Sequence, residues 1–215
     1  LANEDRIVIL RQDGSLAESE TALVRPGDEI MVLPKITTKS IEITRAITTK
    51  HAGGQRAQVV AAYDKALQRL EADATLSRAD RMGALLGRIE LARMDTRDDA
   101  KSVKLPPALA RDVREHVARD DREITDGYER QAVITTGAYA LRRAGLMSES
   151  DALLKANLAK SHSPYYLMSA LASNAKARGD KTLALRWYEE AYRTSQGPAT
   201  RLQWGASYVN ALIEL

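Results

Sequence analysis

The chain has 215 residues, 32 basic against 29 acidic side chains and 44% hydrophobic residues, a composition that can bury a core as one large domain or two small ones. Its lack of cysteine excludes disulfides, thiolate metal sites, cysteine nucleophiles and dithiol redox chemistry within the chain. A net charge of only +3, no Lys/Arg block interleaved with aromatics and no apolar run of membrane-spanning length leave neither nucleic-acid binding nor a transmembrane segment expected.

Residues 6–10, RIVIL, are a short β-branched run, and Asp13-Gly14 behind them is a tight-turn pair. Leu16 to Leu23 reads as a weak extended stretch. Pro26-Gly27-Asp28 then turns the chain into a strand-like run from Glu29 to Leu33. Pro34 cannot donate to a sheet ladder and should end that strand. The threonine-rich segment that follows is ambiguous between strand and helix, with helix favoured from Ser40. His51–Gly54 has the composition of a linker.

From Gln55 the hydrophobic period becomes helical, with Val59, Val60, Tyr63, Leu67 and Leu70 on one face. Ser77 should cap a second helix, with Asp80 three residues on, and Met82, Leu85, Leu86 and Ile89 should face inward. Asp95–Ala100, DTRDDA, lacks the glycine and terminal glutamate of a calcium loop and reads as a solvated loop. Pro107 should open a third helix, where its missing N–H costs nothing, with an apolar stripe at Leu109, Val113 and Val117. His116 on that helix is expected to be partly exposed. Helix should continue beyond it, interrupted near Gly127.

The last third repeats. The step from Gly145 to Gly179 equals the step from Pro164 to Pro198, and it also links Ala138, Ala172 and Ala206. Leu154 and Tyr188 are related in the same way, as are Ser150 and Ala184. This step matches the period of tetratricopeptide repeats, about 34 residues, in which two antiparallel helices form each unit. Small residues suit the close approach of the two helices, glycine the turn between them, and proline the restart. The segment YYLMSALASNAKARGDKTLALRWYEEAYRTSQGP resembles one such unit, with Gly179-Asp180 at the turn and Ala184, Tyr188 and Ala191 on the second helix. Met168 stands where that family usually has tryptophan. The fold expected is mainly α: a tetratricopeptide-like helical repeat array over residues 55–215, behind a small β-containing segment at 1–50 and a linker at 51–54. Units fall near 131–164 and 165–198, with a partial unit at 199–215.

No residues form a recognisable catalytic or metal constellation. The three histidines, His51, His116 and His162, are scattered, and His162 between two serines reads as a polar turn. Gly53-Gly54 is too little for a phosphate loop. Tyr165, Tyr166, Trp187, Tyr188, Tyr192 and Trp204 gather near the C-terminus, either as inter-helix packing or as the lining of a concave groove for a peptide or partner helix. Tyr165, Tyr166, Asn174, Arg178, Tyr188, Arg201 and Trp204 are the candidate groove residues, with Arg142, Arg143 and Lys176 as further polar rim candidates. The function read from these residues is a non-enzymatic one that needs no cofactor. It requires a protein or peptide partner, and an open repeat edge also favours a homo-oligomer.

Two family resemblances extend this reading. Residues 6–48, RIVILRQDGSLAESETALVRPGDEIMVLPKITTKSIEITRAIT, resemble the last part of bacterial polysaccharide export proteins of the capsule-export type, whose β-grasp domains end in a similar turn and strand. Residues 55–215 are similar to the helical region behind the thioredoxin-like domain of some proteobacterial thioredoxin-family proteins. The stretches that carry this second resemblance are ITDGYERQAVITTGAYAL, SDALLKANLAKSHSPYYLMS and GPATRLQWGASYVNAL. Together they imply an accessory interaction module in the bacterial periplasm or cell envelope or, alternatively, an export component that uses its β segment for assembly. Thiol–disulfide activity would require a longer parent chain. The two resemblances do not ordinarily share one chain, and the chain opens on Leu1 without a leader. A fused or partial reading frame with its junction near His51–Gly54 is therefore expected.

Overall fold

The computed structural model describes residues 7–10, 16–18, 29–32, 54–95 and 105–215. The expected turns at Asp13-Gly14 and Pro26–Asp28, the helix from Ser40 and most of the DTRDDA loop lie outside the described residues. Among those described the protein is mainly α. The chain divides into two compact units, Leu1–Leu109 and Ala110–Leu215.

The first unit holds three short strands, β1 (Ile7–Leu10), β2 (Leu16–Glu18) and β3 (Glu29–Val32). They form an antiparallel sheet in the order β2-β1-β3, with Ile9 opposite Ala17 on one side and Ile30 on the other. β1 lies in the β-branched run, β3 in the strand-like run from Glu29, and β2 at the start of the weak extended stretch from Leu16.

Helices α1 (Gly54–Ala72) and α2 (Arg78–Ala92) follow in the same unit. The short connection begins with Asp73, whose carboxylate accepts from the Thr75 hydroxyl at 2.7 Å and the Thr75 amide at 2.9 Å. Those two bonds hold the Asp73 pKa below its ordinary value. Ser77 caps α2 as expected: its hydroxyl accepts from the Asp80 amide at 3.1 Å and donates to the Asp80 carboxylate at 2.7 Å. Tyr63, Leu67, Ala84 and Leu91 form the core between the two helices, flanked by Val59 and Leu70. Burial pushes the Tyr63 phenol up to about 12.

Arg88 of α2 is also buried, and it reaches Asp64 at 2.9 Å and Glu71 at 2.7 Å on α1. Burial works to lower its pKa, but hydrogen bonds and charge from Glu71 and Asp64 outweigh that and raise it.

Helix α3 (Pro107–Glu123) starts at the expected proline. Val113 and Val117 are buried, and His116, expected to be partly exposed, is buried with them at 3% exposure. Position 116 adjoins the Val113–Val117 stripe, so the ring turns inward, where its Nε2 lies 3.4 Å from the Asp120 carboxylate.

The remaining helices are α4 (Gly127–Arg143), α5 (Met147–Asn157), α6 (Pro164–Ala177), α7 (Lys181–Thr194) and α8 (Pro198–Glu214). The break before Gly127 is an N-cap: the Asp126 carboxylate accepts from the Glu129 amide at 2.7 Å. Arg130 ties this break down from inside the core. Its guanidinium donates to Asp121 and Asn157 at 2.8 and 2.7 Å and to the Ile124 carbonyl.

The repeat step is visible in the backbone. Gly145 and Gly179 adopt φ of 82° and 80°. Behind Gly145 the Leu146 amide bonds the Leu141 carbonyl at 2.8 Å; behind Gly179 the Asp180 amide bonds the Ala175 carbonyl at 3.0 Å. The Gly145 and Gly179 amides bond Arg142 and Lys176 carbonyls in the same way. Both are the glycine-terminated helix end in which a left-handed residue satisfies the last free carbonyls. Pro164 and Pro198 each open a helix. Two helical hairpins, α4–α5 and α6–α7, therefore repeat one design, and α8 begins it a third time.

Candidate interaction surface

The candidate residues of the last three helices fall into three groups. Pro164 starts α6 so that Tyr165 and Tyr166 lie in its first turn, and Trp204 lies in the second turn of α8. These three rings meet: Trp204 is 5.8 Å from Tyr165 and 5.2 Å from Tyr166, the latter edge-on at 88°. Edge contacts of this kind place the positive rim of one ring on the negative face of the other. The cluster joins Met168 of α6 and Ala191 of α7, and Trp204 is 7% exposed. Its indole Nε1 is buried and finds no hydrogen-bond acceptor among the described residues. Tyr165 and Tyr166 stay half-buried.

Close approach of α7 and α8 is set by Gly205, where a Cβ would lie 3.2 Å from the Tyr192 ring. Arg201, exposed on α8, lies over the other part of this wall, its guanidinium carbon 5.1 Å from the Tyr192 ring centre. Tyr192 in turn stacks on Tyr208 at 6.5 Å and 19°.

Asn174 and Arg178 form a second, separate group. The Asn174 amide is buried and donates to the Ser150 hydroxyl at 2.9 Å and the Asp151 carboxylate at 2.8 Å. Arg178 pairs with the same carboxylate at 2.8 Å. The Ser150 hydroxyl meanwhile donates to the Ala138 carbonyl at 2.7 Å. Asn174 thus links α6 to α5, and Ser150 links α5 to α4.

Tyr188, the third group, is half-buried on α7. It lies close enough to Lys176 to help raise the Lys176 pKa, after the larger effect of the Glu214 ion pair. It belongs neither to the Trp204 ring cluster nor to the Asp151 group.

Spacing alone could not reveal the Asp151 junction, because nothing in the repeat marks which polar residue will face a neighbouring helix. Nor could it reveal the stacking of Tyr128 on His162, with ring centres 3.9 Å apart although the whole α4–α5 hairpin separates them along the chain. Of the two, Tyr128 is 65% exposed. The His162 Nδ1 meets the Ser163 hydroxyl at 3.0 Å, and that hydroxyl accepts from Tyr165 at 3.0 Å.

Among the described residues, no group of three or more His, Asp and Glu could hold a metal ion. No described helix is long and apolar enough to cross a membrane.

No known family profile matches the chain, and neither does any solved structure. A stretch of 45 residues, 20% of the chain, is 51% identical to the polysialic acid transport protein KpsD of Escherichia coli, and a second KpsD sequence of that species matches to the same extent. The match spans 8% of the length of KpsD. It supports the export-like resemblance of the N-terminal segment and does not extend to the helical repeats.

Proposed function

We propose that the chain is a non-catalytic protein-interaction or scaffold module whose working part is the helical stack of the second unit, built from repeats of the tetratricopeptide kind. The observation that carries this reading is the recurrence of one hairpin design, with the same positive-φ glycine at Gly145 and Gly179. Arrays of this kind present extended surfaces rather than single reactive centres. Tyr188 and Arg201 remain accessible on that stack and offer an aromatic face and a cation to a peptide. A place in the bacterial cell envelope is supported by the partial likeness to KpsD, and an association with a thioredoxin-like protein by resemblance alone.

A peptide library displayed on phage and panned against the full chain tests the interaction reading. Enriched peptides should lose affinity about tenfold on Tyr188→Ala, the cost of one well-placed aromatic contact. Failure to enrich any peptide, or indifference to Tyr188→Ala, rejects it.

The 51% identity to KpsD favours a second reading, a component of polysaccharide export that assembles through its β segment. Under that reading the chain forms ring-like oligomers, visible by electron microscopy, that disappear when residues 1–50 are deleted. A chain with unchanged oligomeric state after the deletion excludes it.

A further inference from the structure

A continuous wall of aromatic rings runs along the N-terminal ends of α4, α6 and α8. Tyr128, in the first turn of α4, stacks on His162 of the α5–α6 turn, and the His162 amide donates to the Gly127 carbonyl at 3.3 Å, which holds the pair together. From His162 the wall passes through the Ser163 hydroxyl to Tyr165, beside Tyr166 at 5.1 Å, and both tyrosines rest on Trp204. Tyr128 is 65% exposed, His162 is exposed and Tyr165 and Tyr166 are half-buried, so these rings form a surface rather than a core.

Stacking of the repeats does not call for them. One repeat step before Tyr165 and Tyr166 stand Gln131 and Ala132, and one step after them Ala199 and Thr200. The positions equivalent to Trp204 hold Ala170 and Thr136. The hairpin design recurs without these rings, and exposed apolar surface gathered in one place is a mark of a binding surface.

The hydrogen bonding of the wall is one-sided. Tyr165 donates to Ser163, a hydroxyl has one hydrogen, and Ser163 therefore gives its own to His162 Nδ1. That places the hydrogen of the neutral imidazole on Nε2, as a donor in an exposed ring. Trp204 can only donate, and its Nε1 has no acceptor among the described residues.

A complementary ligand offers apolar rings and acceptors while bringing few donors of its own. A proline-rich segment meets that description. Proline carries a carbonyl and no N–H, its ring packs on aromatic faces, and the extended helix it adopts leaves every carbonyl free of internal bonds. A partner helix would arrive with its carbonyls already bonded. A cation would meet the N–H donors, and Asp126 and Glu129 beside Tyr128 oppose a polyanion.

We infer that Tyr128, His162, Tyr165 and Tyr166 form a docking surface for a proline-rich segment of a partner protein in the polyproline II conformation. This sequence's own Pro106-Pro107 pair leads into α3 and is held there. The inference rests on the interaction reading and names a partner chemistry for a surface other than that around Tyr188.

The probe is a labelled proline decamer titrated into the full chain, with a glycine–serine decamer of equal length as the control. Saturable binding of the proline peptide alone is expected, weakened about tenfold by Tyr128→Ala and kept by Tyr128→Phe. Circular dichroism and the melting temperature should be unchanged in both variants, because Tyr128 is largely exposed. Independently of any variant, the ring resonances of Tyr128 and His162 in the native chain should shift on titration, and those of Tyr139 should not. Absence of saturable binding, equal binding of the two decamers, indifference to Tyr128→Ala or unmoved Tyr128 and His162 resonances would each overturn the proposal. Peptides selected on the Tyr188 surface should bind Tyr128→Ala as they bind the native chain, so failure of this surface and failure of the interaction reading give different results.

Discussion

The α1–α2 hairpin and the α4–α8 stack solve the same problem, two helices in contact, by different means. The first buries a charge: Arg88 sits between Asp64 and Glu71, and large side chains such as Tyr63 and Leu67 fill the remaining space. The second sets compact side chains at the closest approaches of its helices, within a core that also holds Ile134, Leu154, Leu167 and Leu171. Ala138 faces Ser150, and the equivalent pair Ala172 and Ala184 is fully buried. A buried ion triad matches one specific partner, because each member needs the others to offset its desolvation. A compact seam tolerates repetition, because any helix with the same spacing fits against it. This contrast explains why the seam design of the second unit recurs along the chain while the ion triad serves one hairpin.

The largest effect should come from breaking the ion triad. Arg88→Ala removes the buried cation that Asp64 and Glu71 share and should cost about 3–5 kcal/mol in urea unfolding. A loss below about 1 kcal/mol would show that the hairpin is held by its apolar core alone.

A related test reads the apolar half of the same hairpin by pH. Tyr63 titrates near 12 when folded against 10.0 for an ordinary tyrosine, so the folded state holds its proton more tightly. Its contribution is complete below pH 10 and is lost as pH rises through about 12, amounting to about 3 kcal/mol in all. Stability measured from pH 9 to 12 should fall more steeply in the native protein than in Tyr63→Phe; equal slopes would refute the assignment.

The seams of the second unit can be probed by one substitution at two equivalent positions. Ala172→Leu forces a larger side chain into a fully buried contact and should cost about 1–3 kcal/mol. Ala206→Leu, one repeat step on and exposed, should change stability by no more than about 0.5 kcal/mol. Equal costs at the two sites would mean that Ala206 is covered after all.

Much of this organisation is legible in the residue order, for identifiable reasons. Ser77, Pro107, Pro164 and Pro198 act through their own backbone geometry, and all four stand at helix starts. The glycine turns are legible because only the missing Cβ makes φ near 80° cheap. His116 defeats the pattern because a polar residue beside an apolar stripe can point either way; the fold turns it inward beside Asp120. The candidate groove residues illustrate a further limit. Sequence proximity and chemistry group Asn174 and Arg178 with Tyr165 and Trp204, while packing sends the first two to Asp151 and the second two to each other.

Residue order alone sets the helices, their capped ends and the repeat step, because these depend on local backbone preference and on periodicity along one chain. Which faces meet is settled by packing in three dimensions. Packing sets Arg88 between two carboxylates, joins three helices through Ser150 and Asn174, and leaves Leu202, Val209 and Ile213 uncovered. Burial is a property of what lies opposite a residue, and no local pattern encodes the opposite side.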